Sequence, residues 1–262
     1  ILQGNIRASK EALSPGAEII FVVKANAYGH GARTVAKQAW DDGVRWFAVA
    51  HMDEATELRE VLPDASIMLL SALAEADVST AIAQRFIPMV VGEAHGRALA
   101  AAASAAGKTL RCHAKIDTGM GRLGFAWEDA PAQLSALTRS GGLDLTGICT
   151  HFASSDSPKR TFAEIQAERF RKTLAGCEKA GLNIPFRHVS NSGGILSEAG
   201  WDYNGVRPGI LMYGYGPRQN LGRPAPTRPF LQWKTRLILV KKVPSGFPVS
   251  YGSTHVTAQA TT

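Results

Sequence analysis

The stretch IIFVVKANAYGHGARTVAKQAW, residues 19–40, holds one strand, one loop and one helix of the expected fold. Its opening apolar run, IIFVVK, ends at Lys24 and is typical of a strand buried on both faces of a parallel sheet. After the small and polar residues of the loop, apolar side chains recur with the spacing of one helix face, and Gly43 stands where that helix would stop. The apolar positions are Ala32, Val35, Ala36, Ala39 and Trp40. A strand followed by an amphipathic helix is the repeating unit of an α/β protein.

The same alternation continues along the chain to about residue 210. A second clear helical pattern covers 162–177 and has Gly181 at its end. Eight such strands covered by helices predict an α/β fold, a closed (β/α)8 barrel of TIM type. A doubly wound open sheet is the alternative, although no Gly-x-Gly-x-x-Gly follows the first strand. The predicted strands are 19–24, 46–50, 66–71, 87–91, 111–117, 145–152, 186–192 and 203–210.

The composition of the chain changes after residue 216. The segment GPRQNLGRPAPTRP is rich in Pro, Gly and Arg, which predicts a linker. LQWKTRLILVKKV (231–243) and FPVSYGSTHVTA (247–258) then predict two strands joined by a Pro-Ser-Gly turn. We therefore expect a barrel domain at 1–216, followed at 217–262 by the linker and an incomplete β-rich domain.

Composition and charge limit the classes of function. The chain has 262 residues, of which 45% are hydrophobic and 19% charged, and a formal net charge of +7. It has neither an apolar run long enough for a membrane span nor a signal-peptide pattern, so we expect a cytoplasmic protein with no membrane partner. Its three cysteines lack metal-ligand spacing, and its basic residues are scattered. These features predict reduced thiols, no metal site and no nucleic-acid partner, and they favour a small anionic ligand.

Polar residues end the predicted strands. In a parallel barrel these positions meet at one mouth, where the chemistry of such folds gathers. Burial of an unpaired lysine is costly and usually lowers the pKa of its amine, and a neutral amine is a nucleophile. Each residue alone has an ordinary structural explanation, but together they predict one site. They are Lys24, Lys115, Asp117, His151, Asn191, Ser192 and Arg207.

Glycine-rich turns add a second indication at the same mouth. NSGGIL places Ser192 and two glycines before a helical start, and RPGILMYG places Gly209 after the last strand. Exposed backbone N–H groups in such turns bind anions, and phosphate sites recur at the last βα loops of these barrels. An amine and a phosphate site together predict pyridoxal 5′-phosphate, which carries an aldehyde and a phosphate.

Six segments resemble, in the same order, the motifs of the alanine racemase family. They are VVKANAYGHGA, KIDTGMGRLGF, THFASSD, NSGGIL, VRPGILMYG and VSYGSTH, and the resemblance extends over nearly the whole chain. It implies an eight-stranded barrel followed by a β domain, a head-to-tail homodimer, and interconversion of L-alanine and D-alanine. Members of the family continue beyond the end of this sequence, so the resemblance also implies a C-terminally truncated chain.

The resemblance assigns the two bases and the phosphate contacts. Lys24 would hold the cofactor covalently and act as the base on one face of the substrate. Tyr251 would be the base on the other face, in the site of the partner subunit. Tyr28, Ser192 and the backbone at Gly209 and Ile210 would bind the phosphate.

The remaining roles implied by the resemblance concern the ring and the substrate. Arg207 would face the pyridine nitrogen, and His151 would hydrogen-bond the tyrosine base. Arg122 would contact the phenolic oxygen of the cofactor and the substrate carboxylate, and Asn191 would belong to the cofactor-binding set. Lys115 matches a lysine that is carbamylated in several relatives.

Three other functions stay open from the sequence. A related racemase acting on serine or lysine has the same motifs. A non-catalytic pyridoxal phosphate carrier would consist of a single barrel, so the β segment that contains Tyr251 argues against it. A barrel enzyme acting on a phosphorylated sugar would use the phosphate site without the aldehyde.

Overall fold

Eight parallel strands close into a barrel in the computed structural model of the chain, which describes residues 1–157, 159, 161–197, 199–216 and 227–262. Each barrel strand pairs with its neighbours, and the pairing of the fourth strand with the fifth closes the ring. The predicted TIM-type barrel is therefore confirmed, and the open doubly wound sheet was wrong. The strands are β1 (Glu18–Val22), β2 (Trp46–Val49), β3 (Ser66–Ala72), β4 (Phe86–Val90), β5 (Leu110–Asp117), β6 (Phe125–Ala126), β7 (Leu143–Cys149), β8 (Phe186–Asn191) and β9 (Gly205–Arg207), of which β6 pairs with β5 alone.

Helices cover the outside of the barrel. The helical patterns expected near 32–40 and 162–177 form helices, and Gly43 and Gly181 both have positive φ just beyond them. The helices are α1 (Leu2–Glu11), α2 (Lys24–Tyr28), α3 (Ala32–Asp41), α4 (Met52–Val61), α5 (Val78–Ala83), α6 (Glu93–Ala105), α7 (Ala130–Arg139), α8 (Thr161–Lys179) and α9 (Ser192–Leu196). None of the helices in the described ranges is long and apolar enough to cross a bilayer.

The strands bury side chains on both faces, which explains their nearly continuous apolar sequences. In β1, Ile19 and Phe21 pack outward against the helices, while Ile20 and Val22 pack inside the barrel with Met68 and others. The interior of the barrel also holds polar side chains, including His113 and His188, which are fully buried. The inward face of the strands therefore carries buried polar groups as well as apolar ones.

The last barrel strand is shorter than predicted. We expected it over 203–210, but β9 ends at Arg207, and Ile210–Tyr213 form a 3₁₀ turn. Pro208 follows Arg207 directly, and since proline has no backbone N–H, it cannot continue the donor ladder of the strand. The chain therefore turns across the barrel mouth immediately after Arg207.

The chain divides into two compact units, Ile1–Phe230 and Leu231–Thr262. The first extends beyond the predicted boundary at 216, because Phe230 packs against the rings of His30 and Tyr213. The predicted linker lies mostly outside the described residues.

The second unit contains little of the predicted strand structure. Residues 231–243 form no strand, and their apolar side chains are largely exposed, with Ile238 fully so. The predicted strand 247–258 is instead split into Pro248–Val249 (β10) and His255–Val256 (β11), which pair antiparallel. The prediction of two long strands was wrong because a strand needs neighbouring strands to bond its backbone, and this short unit supplies too few.

Candidate active site

Ten of the twelve predicted site residues line one cavity of about 540 Å³ at the carboxyl ends of the barrel strands. This volume suits a small-molecule ligand. Asp117 is not among the lining residues, and Tyr251 belongs to the second unit, where it is 98% exposed. The ten lining residues are Lys24, Tyr28, Lys115, Arg122, His151, Asn191, Ser192, Arg207, Gly209 and Ile210.

Lys24 opens onto the cavity instead of being buried. It lies just beyond β1 as the first residue of α2, and it is half-buried. The side chain leaves the core where the strand ends. The amine stands at the mouth, where a ligand can reach it.

The turn that follows Lys24 is left-handed. Ala25, Asn26 and Ala27 have φ of 51 to 54° and ψ of 49 to 52°, and Tyr28 also has positive φ. For residues with a Cβ, this conformation costs about 1–2 kcal/mol each. The side-chain Oδ1 of Asn26 accepts the N–H of Ala32 at 2.7 Å and so joins the turn to α3. This turn brings two site residues, Lys24 and Tyr28, to the same cavity within five positions.

Hydrogen-bond donors for an anion converge on the other side of the mouth. The hydroxyl oxygen of Ser192 accepts the N–H groups of Gly209 and Leu211, each at 3.2 Å. A Cβ on Gly209 would lie 2.7 Å from the phenolic oxygen of Tyr28, so only glycine leaves this gap open. Partial burial raises the pKa of the Tyr28 phenol above its usual value, which keeps it protonated as a donor. The Ser192 hydroxyl and the Tyr28 phenol can each donate a hydrogen bond, and together with the turn at Gly209 they form a cradle that fits a phosphate monoester.

Asn191 supports this cradle from behind. Its side-chain Oδ1 accepts the N–H of Gly194 at 3.0 Å and the hydroxyl of Ser155 at 2.6 Å. The amide therefore caps α9 and ties it to the loop that follows β7. Asn191 lines the cavity, but its oxygen is already used in placing Ser192.

Arg207 forms the floor of the cavity. Its Nη1 donates to the carbonyl oxygen of His188 at 2.9 Å, and its Nη2 donates to the carbonyl oxygens of Thr150 at 2.6 Å and Val189 at 3.0 Å. Among the described residues no acceptor is bonded to Nε, although Arg207 lines the cavity. This fixed guanidinium can therefore present an N–H to a ligand atom above it.

Two neutral histidines form a hydrogen-bonded chain that starts at Arg207. Nδ1 of His188 lies 2.5 Å from Nη1 of Arg207, and Nε2 of His188 lies 2.9 Å from Nδ1 of His113. Because a guanidinium only donates, Nδ1 of His188 must accept, so Nε2 carries the proton and donates to His113. Burial, and then the charges of neighbouring arginines, lowers the pKa of His113 to about 3 and that of His188 well below its usual value.

His151, at the edge of the cavity, is a third neutral histidine. Burial, and then the charge of Arg207, lowers its pKa to about 3, so the ring is neutral. Its Nδ1 lies 3.4 Å from Nη2 of Arg207 and accepts from it, which leaves the proton on Nε2. His151 is thus a donor toward any oxygen that enters from the open side.

Lys115 and Arg122 provide two more cationic groups. Burial, together with the charges of Arg207 and Arg122, lowers the pKa of the Lys115 amine to about 8. Arg122 lies on the loop after β5, and Asp117 holds that loop because its Oδ1 accepts the N–H groups of Gly119 at 2.9 Å and Gly121 at 3.1 Å. Burial alone would raise the pKa of Asp117, but these backbone donors outweigh it and hold the pKa below its usual value.

His113 and His188 were not predicted from the sequence as part of this site. The signal was available in the alternation of β5, where Cys112, Ala114 and Ile116 pack outward. His113 therefore shares the inward face with Lys115. A polar residue at an inward position of a buried strand, one step before a predicted site residue, is the pattern that would have found it.

Barrel and cavity together define a TIM-type barrel enzyme whose strand ends present a lysine and a phosphate cradle. The family profile "Alanine racemase, N-terminal domain" matches residues 1–217. This chain belongs to the alanine racemase family, as the motifs implied.

Known proteins similar to the chain extend beyond it. An alanine racemase of Carboxydothermus hydrogenoformans is 40% identical, and the alignment covers 99% of this chain and 70% of that protein. The alanine racemase structure from Streptomyces coelicolor A3(2) has a TM-score of 0.91 at 36% identity, over 99% of this chain and 70% of that one. The alanine racemase of Bartonella henselae with covalently bound pyridoxal phosphate has a TM-score of 0.87 at 25% identity, over the same shares.

Proposed function

We propose that this protein is a pyridoxal 5′-phosphate-dependent racemase that interconverts L-alanine and D-alanine in the cytoplasm. The observation that carries the proposal is that one cavity joins Lys24 to the cradle formed by Ser192, Gly209 and Tyr28. The Bartonella henselae relative, which has covalently bound pyridoxal phosphate, supports the choice of cofactor. The three cysteines, all free and buried, agree with a reducing compartment.

The cofactor, when bound, supplies an aldehyde that condenses with amines and a ring that accepts electron density from the substrate Cα. Lys24 would hold it and move the proton at Cα on one face of the substrate. Ser192, Tyr28 and the backbone at Gly209 and Ile210 would bind its phosphate. Arg122 would bind the substrate carboxylate, which suits a guanidinium fork.

Arg207 would donate a hydrogen bond to the pyridine nitrogen. A guanidinium stays charged and cannot accept a hydrogen bond, so the ring nitrogen beside it remains unprotonated. Arg207 would thereby make the ring a weaker electron acceptor than a carboxylate partner would make it, which would shorten the lifetime of negative charge at Cα and suppress side reactions.

Racemisation needs two groups on opposite faces of Cα, because a single base would mostly return the proton to the face it came from. We assign the second role to Tyr251, supplied by the partner subunit of a head-to-tail homodimer. Loss of the proton from a tyrosine hydroxyl near neutral pH needs a hydrogen-bond donor that stabilises the phenolate. His151 has its proton on Nε2 and would donate it as a hydrogen bond to the phenolate oxygen, with Arg207 behind.

Lys115 is proposed to react with CO2. In this reaction the ammonium first loses one proton to solvent, the neutral amine nitrogen then bonds to the carbon of CO2, and loss of a second N–H proton to solvent leaves an anionic carbamate. The pKa of about 8 supplies neutral amine near physiological pH. The resulting anion would sit beside Arg122 and hold it by opposite charge.

Borohydride reduction followed by peptide mapping tests the cofactor assignment. The protein loaded with pyridoxal phosphate is expected to be labelled at Lys24, and circular dichroism is expected to follow the loss of optical activity of L-alanine. Protein that is saturated with cofactor yet unlabelled at Lys24, or silent toward alanine, would refute the proposal.

Two further measurements separate the remaining possibilities. Tyr251→Phe should abolish racemisation while leaving cofactor binding intact, whereas a cofactor carrier would be unaffected by it. Rates with alanine, serine and lysine as substrates define the specificity.

A further inference from the structure

The carboxylate of Glu54 binds three backbone N–H groups from two different loops at the barrel mouth. Its Oε1 accepts the N–H of Ala25 at 2.5 Å, and its Oε2 accepts those of Ala50 at 2.7 Å and His51 at 3.2 Å. Ala25 immediately follows Lys24, while Ala50 and His51 follow β2 and precede α4. One side chain thus connects the turn that carries the lysine to the next strand end of the barrel.

Capping of α4 explains only part of this arrangement. Glu54 is the third residue of the helix, and its bond to the N–H of His51 is the ordinary reciprocal half of a capping box. The bond to Ala25 crosses 29 residues of sequence and contributes nothing to α4. It therefore calls for a separate explanation.

The turn after Lys24 needs such an anchor because its conformation is unfavourable. Ala25, Asn26 and Ala27 all lie in the left-handed region. Asn26 secures the far end of the turn through the N–H of Ala32. At the near end, where Lys24 leaves β1, the side-chain bond to Ala25 comes from Glu54.

We propose that Glu54 is a positioning residue that holds the left-handed turn and thereby aims Lys24 and Tyr28 at the cofactor. The inference rests on the proposed function, since it concerns how this chain presents its lysine. A carboxylate is required because both oxygens accept from N–H donors. A glutamine at this position would offer one acceptor and turn an NH2 donor toward the other N–H group.

Three variants of the full chain test the proposal. Glu54→Gln keeps the size of the side chain and removes one acceptor, and Glu54→Asp keeps the charge but shortens the reach. Asp53→Asn is the matched control, because Asp53 is exposed in the same first turn of α4 and carries the same charge. Each variant is titrated with pyridoxal phosphate, and the absorbance of the lysine-linked cofactor is recorded.

Both Glu54 variants should bind pyridoxal phosphate at least about tenfold more weakly than the unchanged protein, a loss of roughly 1.4 kcal/mol. Asp53→Asn should stay within about threefold of it, equivalent to roughly 0.7 kcal/mol. Without cofactor, amide hydrogen exchange over residues 24–31 should speed up in Glu54→Gln while exchange in the other barrel strands stays the same. This second measurement reports the turn itself and not the activity.

Equal affinities in Glu54→Gln and Asp53→Asn would overturn the proposal, as would unchanged exchange over 24–31. Full affinity in Glu54→Asp with a loss in Glu54→Gln would also overturn the proposal. In that case a negative charge at the start of α4 would be enough for cofactor binding, and the bond to Ala25 would not be needed. If the unchanged protein bound no cofactor, the proposed function would fail, and the exchange comparison would still decide whether Glu54 holds the turn. If Glu54→Gln were insoluble, Glu54→Asp would carry both measurements.

Discussion

Lys115 should form a carbamate in solutions that contain CO2, and this can be observed without any cofactor. Burial removes water from its ammonium group, and Arg207 and Arg122 add repulsion, so the pKa of the amine falls to about 8. Only the neutral amine attacks CO2. The same two arginines that disfavour the ammonium would favour the negatively charged product.

The shift in pKa sets the size of the effect. At pH 8, about half of Lys115 is neutral, against about 0.3% of a lysine with the ordinary pKa near 10.5. The reactive fraction is therefore about 160-fold larger than for an ordinary lysine. At constant CO2 pressure, the carbamate should increase as pH rises through about 8, because deprotonation of the amine precedes the reaction.

Carbon-13 NMR with labelled bicarbonate measures this directly. We expect one carbamate resonance that disappears in Lys115→Arg, which keeps the positive charge but cannot react. Lys108→Arg, at an exposed lysine of the same barrel, should leave it unchanged. A resonance that persists in Lys115→Arg, a midpoint near the ordinary lysine pKa, or no resonance at all would refute the reasoning.

Three other changes test the floor and the cradle. Arg207→Lys should lower the free energy of unfolding in urea by about 1–3 kcal/mol, because three ammonium donors cannot satisfy the four acceptors within 3.0 Å of the two terminal guanidinium nitrogens. Arg187→Lys, at a more exposed ion pair with a side chain 30% exposed, should cost less than about 0.5 kcal/mol, and equal losses in the two variants would contradict this. Acid should destabilise the barrel, since the pKa of His113 is about 3 in the fold, below the ordinary 6.5, so the unfolded chain binds the proton first. This histidine alone should lower the free energy of unfolding by about 2 kcal/mol at pH 5 relative to neutral pH. An unchanged urea midpoint between pH 7 and pH 5 would rule out this contribution. Gly209→Ala should weaken pyridoxal phosphate binding about tenfold, by roughly 1.4 kcal/mol, because its Cβ would crowd the Tyr28 oxygen at 2.7 Å. In a Tyr28→Phe background the same substitution should have little further effect, and an undiminished loss there would show that the contact is not responsible.

The barrel could be predicted because each strand carries its own signal. Side chains of β1 are buried on both faces, so the apolar run IIFVV is visible without knowledge of the neighbouring strands. The second unit lacks this property. Its apolar segment 231–243 has the composition of a strand. Whether a strand forms also depends on neighbouring strands, which the sequence of the segment itself does not reveal.

The site could be predicted as a set of residues but not as a geometry. Strand ends and glycine turns pointed to seven residues that line one cavity, and the resemblance added Tyr28, Arg122 and Ile210. They did not indicate that Lys24 is half-exposed or that a left-handed turn follows it, because Ala25 and Ala27 have no local preference for that conformation. The bond between Glu54 and Ala25 joins positions 29 apart, a relation that follows from the closed barrel and not from sequence spacing.

The lining of the cavity has a practical consequence for handling the protein. Lys24, Lys115, Arg122 and Arg207 face the same space, and Asp156 is the only carboxylate among the lining residues that the structure describes. A cavity with this excess of positive charge should bind sulfate, citrate or inorganic phosphate from a buffer. Affinities measured in those salts would describe a competition, so titrations belong in dilute chloride with a cationic or zwitterionic buffer.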